Sequence, residues 1–263
     1  MKLLAVAIAG RGVVDPAEPV FFADDEAVVR GAAAFETIRL RNGAPVLLAP
    51  HLERLARSAL ALGHRAPEAV EELVADAVAA AGSDEATLRV FWTGRTLVAT
   101  VSELPPGLDA LRARGLHVVT FRAGDEHGLL EGVKATSYAV NMAALADAQR
   151  RGADDALFLG AGEIVRDLTT ANVWWRDGDV LSTPAPAPGV LPGVTRRAIA
   201  DLARGAGYRV REGAWTLPAL LRADEAFASS AVREIVPLAS LDGRELARGK
   251  AGLELQRLLE PVR

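Results

Sequence analysis

The 263-residue sequence contains no cysteine, which excludes disulfide bonds, iron–sulfur clusters and thiol nucleophiles. It has no apolar run close to the roughly 20 residues of a membrane-spanning helix, and its apolar start predicts a strand rather than a secretory signal. It also lacks a basic stripe with interleaved aromatic residues, which argues against a nucleic-acid partner. With 50% hydrophobic residues and a net charge of −4, the chain is predicted to be a globular, cytoplasmic protein that binds neither membranes nor nucleic acid.

Lysine is the next scarce residue. Lys2, Lys134 and Lys250 stand against 27 arginines, so this chain uses arginine almost wherever only a positive charge is required. Arginine cannot lose its proton in a protein, whereas a desolvated lysine can do so and can condense with a carbonyl. Lys2 is terminal and Lys250 lies among polar residues. Lys134 is therefore the candidate for amine chemistry, with a plain surface cation before a helix as the alternative.

Several catalytic motifs are also missing. The four histidines show no metal-ligand spacing, so no metal site is predicted, and His51 is interpreted as structural. No serine stands in a nucleophile-elbow pattern, and no glycine-rich loop matches a nucleotide fingerprint. Hydrolysis by a serine nucleophile and nucleotide binding through these motifs are thereby disfavoured.

Hydrophobic periodicity predicts an α+β arrangement in the first half of the chain. The predicted elements are strands over 34–40, 86–92 and 97–102, helices over 50–63 and 69–81, and an Asn42–Gly43 hairpin turn. A proline-rich break follows. We therefore predict an N-terminal domain over 1–115, an interdomain loop region over 116–128 and a C-terminal domain over 129–263.

The segment after Lys134 predicts a helix and then a hairpin. Residues 138–151 have amphipathic spacing, and the side expected to pack closely consists of Ala139, Met142, Ala143, Leu145 and Ala146. A short apolar strand, a glycine turn and a returning strand follow. Asp167 is expected just past this hairpin.

Two places could hold a phosphate. Leu191-Pro-Gly-Val-Thr195 ends a loop and starts a helix, so the Val194 and Thr195 N–H groups, the helix dipole and the Thr195 hydroxyl could bind an anion. An ordinary helix cap is the alternative. Arg54, on the first predicted helix, is either a second phosphate ligand or a solvated cation.

The order and spacing of these motifs carry a family resemblance over nearly the whole chain. The motifs are Phe35-Glu-Thr-Ile-Arg39, Asn42-Gly43, His51-Leu-Glu-Arg-Leu55, Lys134 with Tyr138 and Asn141, Val165-Arg-Asp167, Ala171-Asn172-Val173, Leu191-Pro-Gly-Val-Thr-Arg196, and Ala223-Asp-Glu-Ala-Phe227 with Ser229 and Ser230. The chain resembles the class IV aminotransferases, the fold-type-IV pyridoxal-phosphate enzymes. The sequence after Lys134 is similar to that of members described as aminodeoxychorismate lyases or D-amino-acid aminotransferases.

The resemblance implies a two-domain fold with a smaller α+β N-terminal domain and a larger pseudo-barrel C-terminal domain. It implies pyridoxal 5′-phosphate as the cofactor, with Lys134 forming a Schiff base to it and moving the substrate proton. The cofactor-binding residues that it implies are Arg54, Lys134, Tyr138, Asp167, Asn172, Val194, Thr195 and Ser230. It also implies a homodimer.

Two positions depart from the family pattern. Asp167 stands where the family has glutamate, whose carboxylate keeps the pyridine nitrogen protonated, and aspartate is one methylene shorter. Ala231 stands where branched-chain members have a threonine, which argues against a branched-chain specialist.

The candidate substrate-binding residues are Thr37, where lyase-type members also have a threonine, and Arg39 and Arg95, either of which could bind a carboxylate. The alternatives are an exposed strand arginine for Arg39 and a hairpin-turn arginine for Arg95. Arg95 lies in the loop where D-amino-acid aminotransferases carry an Arg-x-His pair, but the histidine is missing here. The leading hypothesis is transamination between small amino acids, D preferred to L, or primary amines, and 2-oxo acids. The rival is 4-amino-4-deoxychorismate lyase, which forms p-aminobenzoate and pyruvate. A cofactor-binding protein with little turnover is the third hypothesis.

Overall fold

The structure, a computed structural model, describes residues 1–122, 130–187 and 189–262. Its contacts divide the chain into two compact units. Unit 1 comprises Met1–Pro106 and Val133–Tyr138, and unit 2 comprises Gly107–Gly132 and Ala139–Val262. The short segment that contains Lys134 therefore returns to unit 1 after the chain has entered unit 2.

Unit 1 is built on an antiparallel sheet of six strands in the order β2-β1-β6-β5-β3-β4. Its elements are β1 (Leu3–Ile8), β2 (Gly12–Val14), α1 (Glu26–Arg30), β3 (Ala34–Arg41), β4 (Ala44–Pro45), α2 (Leu48–Ala61), α3 (Val70–Ala81), β5 (Ala86–Trp92) and β6 (Leu97–Ser102). The predicted hairpin turn between β3 and β4 is confirmed. Asn42 and Gly43 both have positive φ, 50° and 71°, as the right-handed twist of a tight hairpin requires.

Strand alternation gives the sheet of unit 1 two different faces. Ala34, Ile38 and Leu40 of β3 point to one face, where they join the buried core formed with α2 and α3. Phe35, Thr37 and Arg39 point to the opposite face.

Unit 2 contains a nine-stranded mixed sheet in the order β12-β11-β10-β13-β14-β7-β8-β9, with β15 paired to β14. Its elements are α4 (Leu108–Arg114), β7 (Leu116–Arg122), α5 (Ala139–Arg150), β8 (Asp155–Leu159), a 3₁₀ turn (Ala161–Glu163), β9 (Val165–Leu168), β10 (Asn172–Asp177), β11 (Val180–Pro184), α6 (Val194–Gly205), β12 (Arg209–Gly213), α7 (Leu217–Leu221), β13 (Glu225–Ser230), β14 (Glu234–Leu241), β15 (Arg244–Glu245) and α8 (Ala251–Leu259). Alternation along β10 places Trp174 in a cluster with residues of α6 and α8, and Trp175 in a second cluster on the other face.

The observed units differ from the predicted domain boundaries. The first segment of unit 1 ends at Pro106 rather than at residue 115. The reason is that α4 packs on β14, and β7 pairs in parallel with β14, so both belong to unit 2. The start of the predicted 116–128 loop region is therefore strand β7 of unit 2. Residues 123–128 of that region lie outside the described residues.

The packing side predicted for the 138–151 helix is wrong. In α5 the buried residues are Ala144 and Ala148, which form a cluster with Val119 and Phe158 of the neighbouring strands. Met142 is exposed, as are all three alanines predicted to pack. Ala144 and Ala148 are four residues apart, so one turn of small side chains lets the helix lie closely on the sheet.

Asp167 also lies elsewhere than expected. It is inside β9 rather than beyond the hairpin, because the preceding glycine turn takes up residues 161–163. Asp167 is buried.

None of the helices in the part of the chain that the structure describes is both long and apolar enough to cross a membrane.

Candidate active site

The backbone of Lys134 is fixed at the start of β3. The Phe35 N–H donates to the Lys134 carbonyl at 3.0 Å, and the Thr136 N–H donates to Ala33 at 2.8 Å. On the side of α2, the Lys134 N–H donates to Ser58 Oγ at 3.0 Å. Because β4 pairs only with the far end of β3, the first residues of β3 remain available for this returning segment.

The Lys134 amine lies among aromatic groups. Nζ is 3.2 Å from the Tyr138 hydroxyl and 4.4 Å from the centroid of the Phe35 ring. The Phe35 and Tyr138 rings meet edge to face, with centroids 5.4 Å apart. Among the residues described, no carboxylate lies within 4 Å of this amine. A half-buried lysine with a phenol as its hydrogen-bond partner is suited to nucleophilic and proton-transfer chemistry.

Arg54 belongs to a buried network on the other face of β3. Its Nε and Nη2 donate to the two carboxylate oxygens of Glu36, both at 2.7 Å. His51 Nδ1 lies 2.7 Å from Glu36 Oε2. All three side chains are buried, and Arg54 is only 4% exposed. Arg54 is therefore not the solvated cation that was the alternative.

The charges in this network follow from burial and pairing. Burial alone raises the pKa of Glu36, but the hydrogen bonds and charge of Arg54, with those of His51, lower it overall to about 2. Burial lowers the pKa of His51, and the Glu36 hydrogen bond opposes this only in part. Glu36 is thus ionised and His51 neutral near pH 7. Since an ionised carboxylate only accepts, His51 donates from Nδ1.

This network predicts an acid-dependent stability. Because the folded pKa of Glu36, about 2, lies below its ordinary value of 4.5, its stabilisation is complete above pH 4.5 and is lost as pH falls toward about 2. We expect Glu36→Gln to lower the free energy of unfolding at pH 7 by about 3–5 kcal/mol, since it leaves Arg54 buried without its counter-charge. The deficit should shrink as pH falls through this window. Urea unfolding at several pH values measures it, and a deficit that stays constant with pH would contradict the assignment.

Unit 2 contains the carboxylate that was predicted to serve the cofactor. The Asn172 amide nitrogen is 3.0 Å from both oxygens of Asp167, and the Leu191 N–H donates to Oδ2 at 2.8 Å. The same Asn172 nitrogen also lies 2.9 Å from the Leu191 carbonyl. These contacts fix the orientation of Asp167, so Asn172 acts on this carboxylate.

Helix α6 offers the predicted anion-binding end. It begins at Val194, Gly193 is its N-cap, no side chain caps it, and its first turn has no acidic residue. A Cβ at Gly193 would stand 2.0 Å from Asn172 Oδ1, so only glycine fits there. Val194 and Thr195 are buried, and Ser230 is half-buried at the end of β13. An uncapped helix start leaves N–H groups that suit a phosphate.

Each unit, taken by itself, contains groups that suit a part of pyridoxal phosphate. Unit 1 holds an amine for the aldehyde and a buried arginine, while unit 2 holds a buried carboxylate and an uncapped helix start. Within the described ranges, no group of three His, Asp or Glu side chains is placed to bind a metal. His127 lies outside the described residues.

The two arginines predicted to bind substrate are each paired with an acid. Arg39 donates to Glu85 through Nε at 3.2 Å and Nη2 at 2.5 Å, and its side chain is 11% exposed. Arg95 is 53% exposed, pairs with Asp24 at 3.2 Å and lies 3.7 Å over the Phe22 ring. Neither charge is available without breaking an existing ion pair.

The sequence reasoning missed Arg89. It lies on β5 directly opposite Thr37, on the same sheet face as Phe35. In the described residues its one hydrogen-bond partner is Ser102, at 3.3 Å, and it has no carboxylate within 4 Å. Burial lowers its pKa. Two residues earlier on β5, the buried hydroxyl of Thr87 has no hydrogen-bond partner among the described residues. An arginine interrupting the apolar strand 86–92 was the available signal.

Comparisons with known proteins show which family the chain resembles. A family model described as amino-transferase class IV matches residues 33–241. The bifunctional aminodeoxychorismate lyase / D-amino acid transaminase of Mycobacterium tuberculosis is 31% identical, over 90% of this chain and 91% of its own length. The structure of a fold IV-transaminase from Curtobacterium pusillum superposes with a TM-score of 0.90 at 29% identity, covering 98% of this chain and 99% of the other.

The PLP-bound form of a hypothetical aminotransferase from Mycobacterium tuberculosis superposes with a TM-score of 0.91 at 28% identity, covering 97% of each chain. The predicted fold class is thereby confirmed. Since the family model spans most of the sequence and a relative above 30% identity aligns along nearly all of it, the chain belongs to the class IV aminotransferases, which are pyridoxal-phosphate enzymes of fold type IV.

Proposed function

We propose that this protein transfers the amino group between small amino acids, D preferred to L, and 2-oxo acids. The observation that carries the proposal is the Lys134 amine, hydrogen-bonded to Tyr138 and packed on Phe35, on the sheet face that also bears Arg89. The preference for D-amino acids is supported by the name of the mycobacterial relative. The alanine at position 231 speaks against a branched-chain specialist.

Each residue of the proposed site has a distinct task. When bound, pyridoxal phosphate supplies the electron sink that makes loss of the substrate Cα proton feasible. Lys134 would hold the cofactor covalently and, once the substrate amine has displaced it, its free amine would take the proton from the substrate Cα, with the Tyr138 hydroxyl orienting Nζ. Asp167 keeps a proton on the pyridine nitrogen. The phosphate-binding groups are Arg54, the Val194 and Thr195 N–H groups and Ser230.

Arg89 refines the substrate class. A half-buried arginine with no carboxylate within 4 Å in the described part of the chain is a ready partner for the carboxylate of a ligand. Its position opposite Thr37 and beside Phe35 puts that carboxylate on the face where the Lys134 amine lies. Amino acids therefore fit this site better than amines without a carboxylate. We therefore assign the binding of the substrate carboxylate to Arg89 rather than to Arg39 or Arg95, which are paired with acids.

Arg89→Gln should raise KM for the amino acid by about 10- to 100-fold, since a charge-assisted hydrogen bond contributes roughly 1.5–3 kcal/mol. kcat/KM for a simple amine without a carboxylate should change little. Steady-state kinetics with both substrates gives the comparison. Arg39→Gln is the matched control, because that arginine on the same face is already paired with Glu85. A larger KM effect at Arg39 than at Arg89 would refute the assignment.

Aminodeoxychorismate lyase is the second candidate, since the mycobacterial relative's name carries both activities. A chorismate-derived substrate also offers carboxylates to Arg89. The third candidate, a cofactor-binding protein with little turnover, rests on Asp167 in place of glutamate.

One set of assays separates the three candidates. Purified protein is supplied with D-alanine and 2-oxoglutarate, with L-alanine and 2-oxoglutarate, and with aminodeoxychorismate alone, and pyruvate is measured. We expect pyruvate from D-alanine, at a higher rate than from L-alanine. Pyruvate from aminodeoxychorismate alone, with none from either alanine, would establish the lyase. No pyruvate from any of them would favour the third candidate.

The predicted homodimer remains part of this proposal. Its support is that α5 carries two exposed large apolar side chains, Val140 at 51% and Met142 at 43%. Light scattering should give twice the chain mass of 27.7 kDa, and a monomeric mass would remove this part of the proposal. The cytoplasmic location stays a prediction, for which cell fractionation is the check.

A further inference from the structure

The Glu36, His51 and Arg54 network has no function in the reaction steps proposed above beyond the phosphate contact of Arg54. We propose that Glu36 and His51 are positioning residues that fix the Arg54 guanidinium in the plane and place required to anchor the cofactor phosphate. The inference rests on the proposed function, since it takes Arg54 to be a phosphate ligand.

The first argument is geometric. Two parallel hydrogen bonds from Nε and Nη2 to the two oxygens of Glu36, both at 2.7 Å, determine the plane of the Arg54 guanidinium. A single hydrogen bond would leave it free to rotate. His51 adds a third constraint, because its Nδ1 lies 2.7 Å from Glu36 Oε2, the oxygen that also accepts from Arg54 Nη2. The carboxylate is thus held from two sides.

The second argument concerns energy. A buried ion pair is often no more stabilising than well-packed hydrophobic residues of the same volume, because both charges lose their hydration. Glu36 lies in the inward register of β3, between Ala34 and Ile38, where an apolar side chain would serve the core directly. A carboxylate in this position is better explained by what it does to Arg54 than by stability.

The third argument links the arginine to the lysine. Phe35, the residue before Glu36, donates its N–H to the Lys134 carbonyl at 3.0 Å. Ser58, one turn after Arg54 on α2, accepts the Lys134 N–H at 3.0 Å. The same stretch of β3 and the same turn of α2 therefore fix both the Lys134 backbone and the Arg54 guanidinium. Glu36 completes this frame, which sets the spacing between the group that binds the aldehyde and the group that binds the phosphate.

The fourth argument is that the frame keeps its charge. Ionised Glu36 compensates cationic Arg54, and burial lowers the pKa of His51 below its ordinary 6.5, so no proton has to enter or leave the network between about pH 6.5 and 9. His51 thereby serves as a neutral donor that orients Glu36 without adding a charge.

The test compares two ligands that differ only in the phosphate. Dissociation constants for pyridoxal phosphate and for pyridoxal are measured by fluorescence with the full-length apoprotein. Glu36→Gln should weaken pyridoxal phosphate binding by about 10- to 100-fold, the usual range for a misplaced charge-assisted contact, and should change pyridoxal binding by less than about 3-fold. His51→Leu, which keeps the ion pair, should give a smaller loss in the same direction. The ³¹P NMR resonance of the bound phosphate should broaden or shift in both variants.

Glu225→Gln is the matched control. Glu225 is equally buried, lies 3.3 Å from the Arg176 guanidinium and accepts the Ala251 and Gly252 N–H groups at the start of α8. Its loss should destabilise the fold without changing the ratio of the two dissociation constants. This control separates a positioning effect from general destabilisation.

The outcomes are distinguishable. A wild-type protein that binds neither ligand contradicts the proposed function itself. A wild type that prefers pyridoxal phosphate, together with Glu36→Gln that keeps the wild-type ratio, contradicts only the positioning role. Should Glu36→Gln not fold, His51→Leu decides, and an unchanged ratio in that variant overturns the inference.

Discussion

Replacing Lys134 with alanine should lower the transamination rate by about 10,000-fold or more, because one amine is proposed both to bind the cofactor and to transfer the proton. The variant should also fail to form a borohydride-stable bond with pyridoxal phosphate. Lys134 lies on a returning segment whose backbone is bonded to β3 and α2, so truncating its side chain leaves the fold intact. Mass spectrometry of the reduced, digested protein measures the effect and should place the cofactor on the Lys134 peptide of the wild type.

Lys134→Arg separates charge from amine chemistry. Arginine retains the positive charge but cannot lose its proton, so this variant should be as inactive as Lys134→Ala. Lys250→Ala, at an exposed lysine near the C-terminus, is the matched control and should behave as wild type. Retention of bound cofactor and of activity in Lys134→Arg would show that a cation alone suffices, against the proposal.

Asp167→Asn should lower kcat by about 100- to 1,000-fold while the cofactor stays bound. The negative charge that keeps the pyridine nitrogen protonated would be lost, and with it the electrostatic stabilisation of charge that develops on the ring. The amide is nearly isosteric, and with its NH₂ in place of Oδ1 it keeps the Leu191 N–H and one Asn172 contact at the remaining oxygen and loses the second Asn172 contact. Single-turnover kinetics gives the rate, and the ¹⁵N chemical shift of labelled cofactor reports directly whether the pyridine nitrogen is protonated. A kcat within about 3-fold of wild type would contradict the role of Asp167.

Asp167→Glu tests whether aspartate is a defect or an adapted residue. Asn172 and the Leu191 N–H hold the existing carboxylate at 3.0 Å and 2.8 Å, so the longer side chain would have to displace these partners. We therefore expect no gain in kcat. If activity appears only when glutamate is restored, the natural protein is a cofactor-binding protein with little turnover.

Local features could be predicted from the sequence. The turn at Asn42–Gly43 and the α2 and α3 helices follow from turn chemistry and from apolar spacing within a few residues. Lys134 could be singled out because the chain otherwise replaces lysine with arginine. Each of these inferences depends on composition or on neighbours in the chain.

Long-range pairing could not be predicted. Arg39 and Arg89 are both arginines in strands, and only the fold places Glu85 beside one and leaves the other with Ser102. The burial of Glu36 likewise depends on His51 and Arg54, which are 15 and 18 positions away along the chain. Polar residues occur on both faces of β3, so the sequence does not show which of them is buried beside a residue of opposite charge.

The wrong side of α5 has the same origin. Its alanines occupy all sides of the helix, so the spacing of apolar residues does not show which side packs on the sheet. The sheet decides, because Val119 and Phe158 leave room for Ala144 and Ala148.

The most direct test of the transaminase proposal is the stoichiometry of pyruvate formed from D-alanine by the cofactor-loaded protein without any 2-oxo acid. Transamination keeps the amino group on the cofactor, so we predict one equivalent of pyruvate per bound cofactor, and continuous formation only after 2-oxoglutarate is added. A lyase needs no acceptor. No pyruvate from D-alanine, together with many equivalents from aminodeoxychorismate alone, would contradict the account.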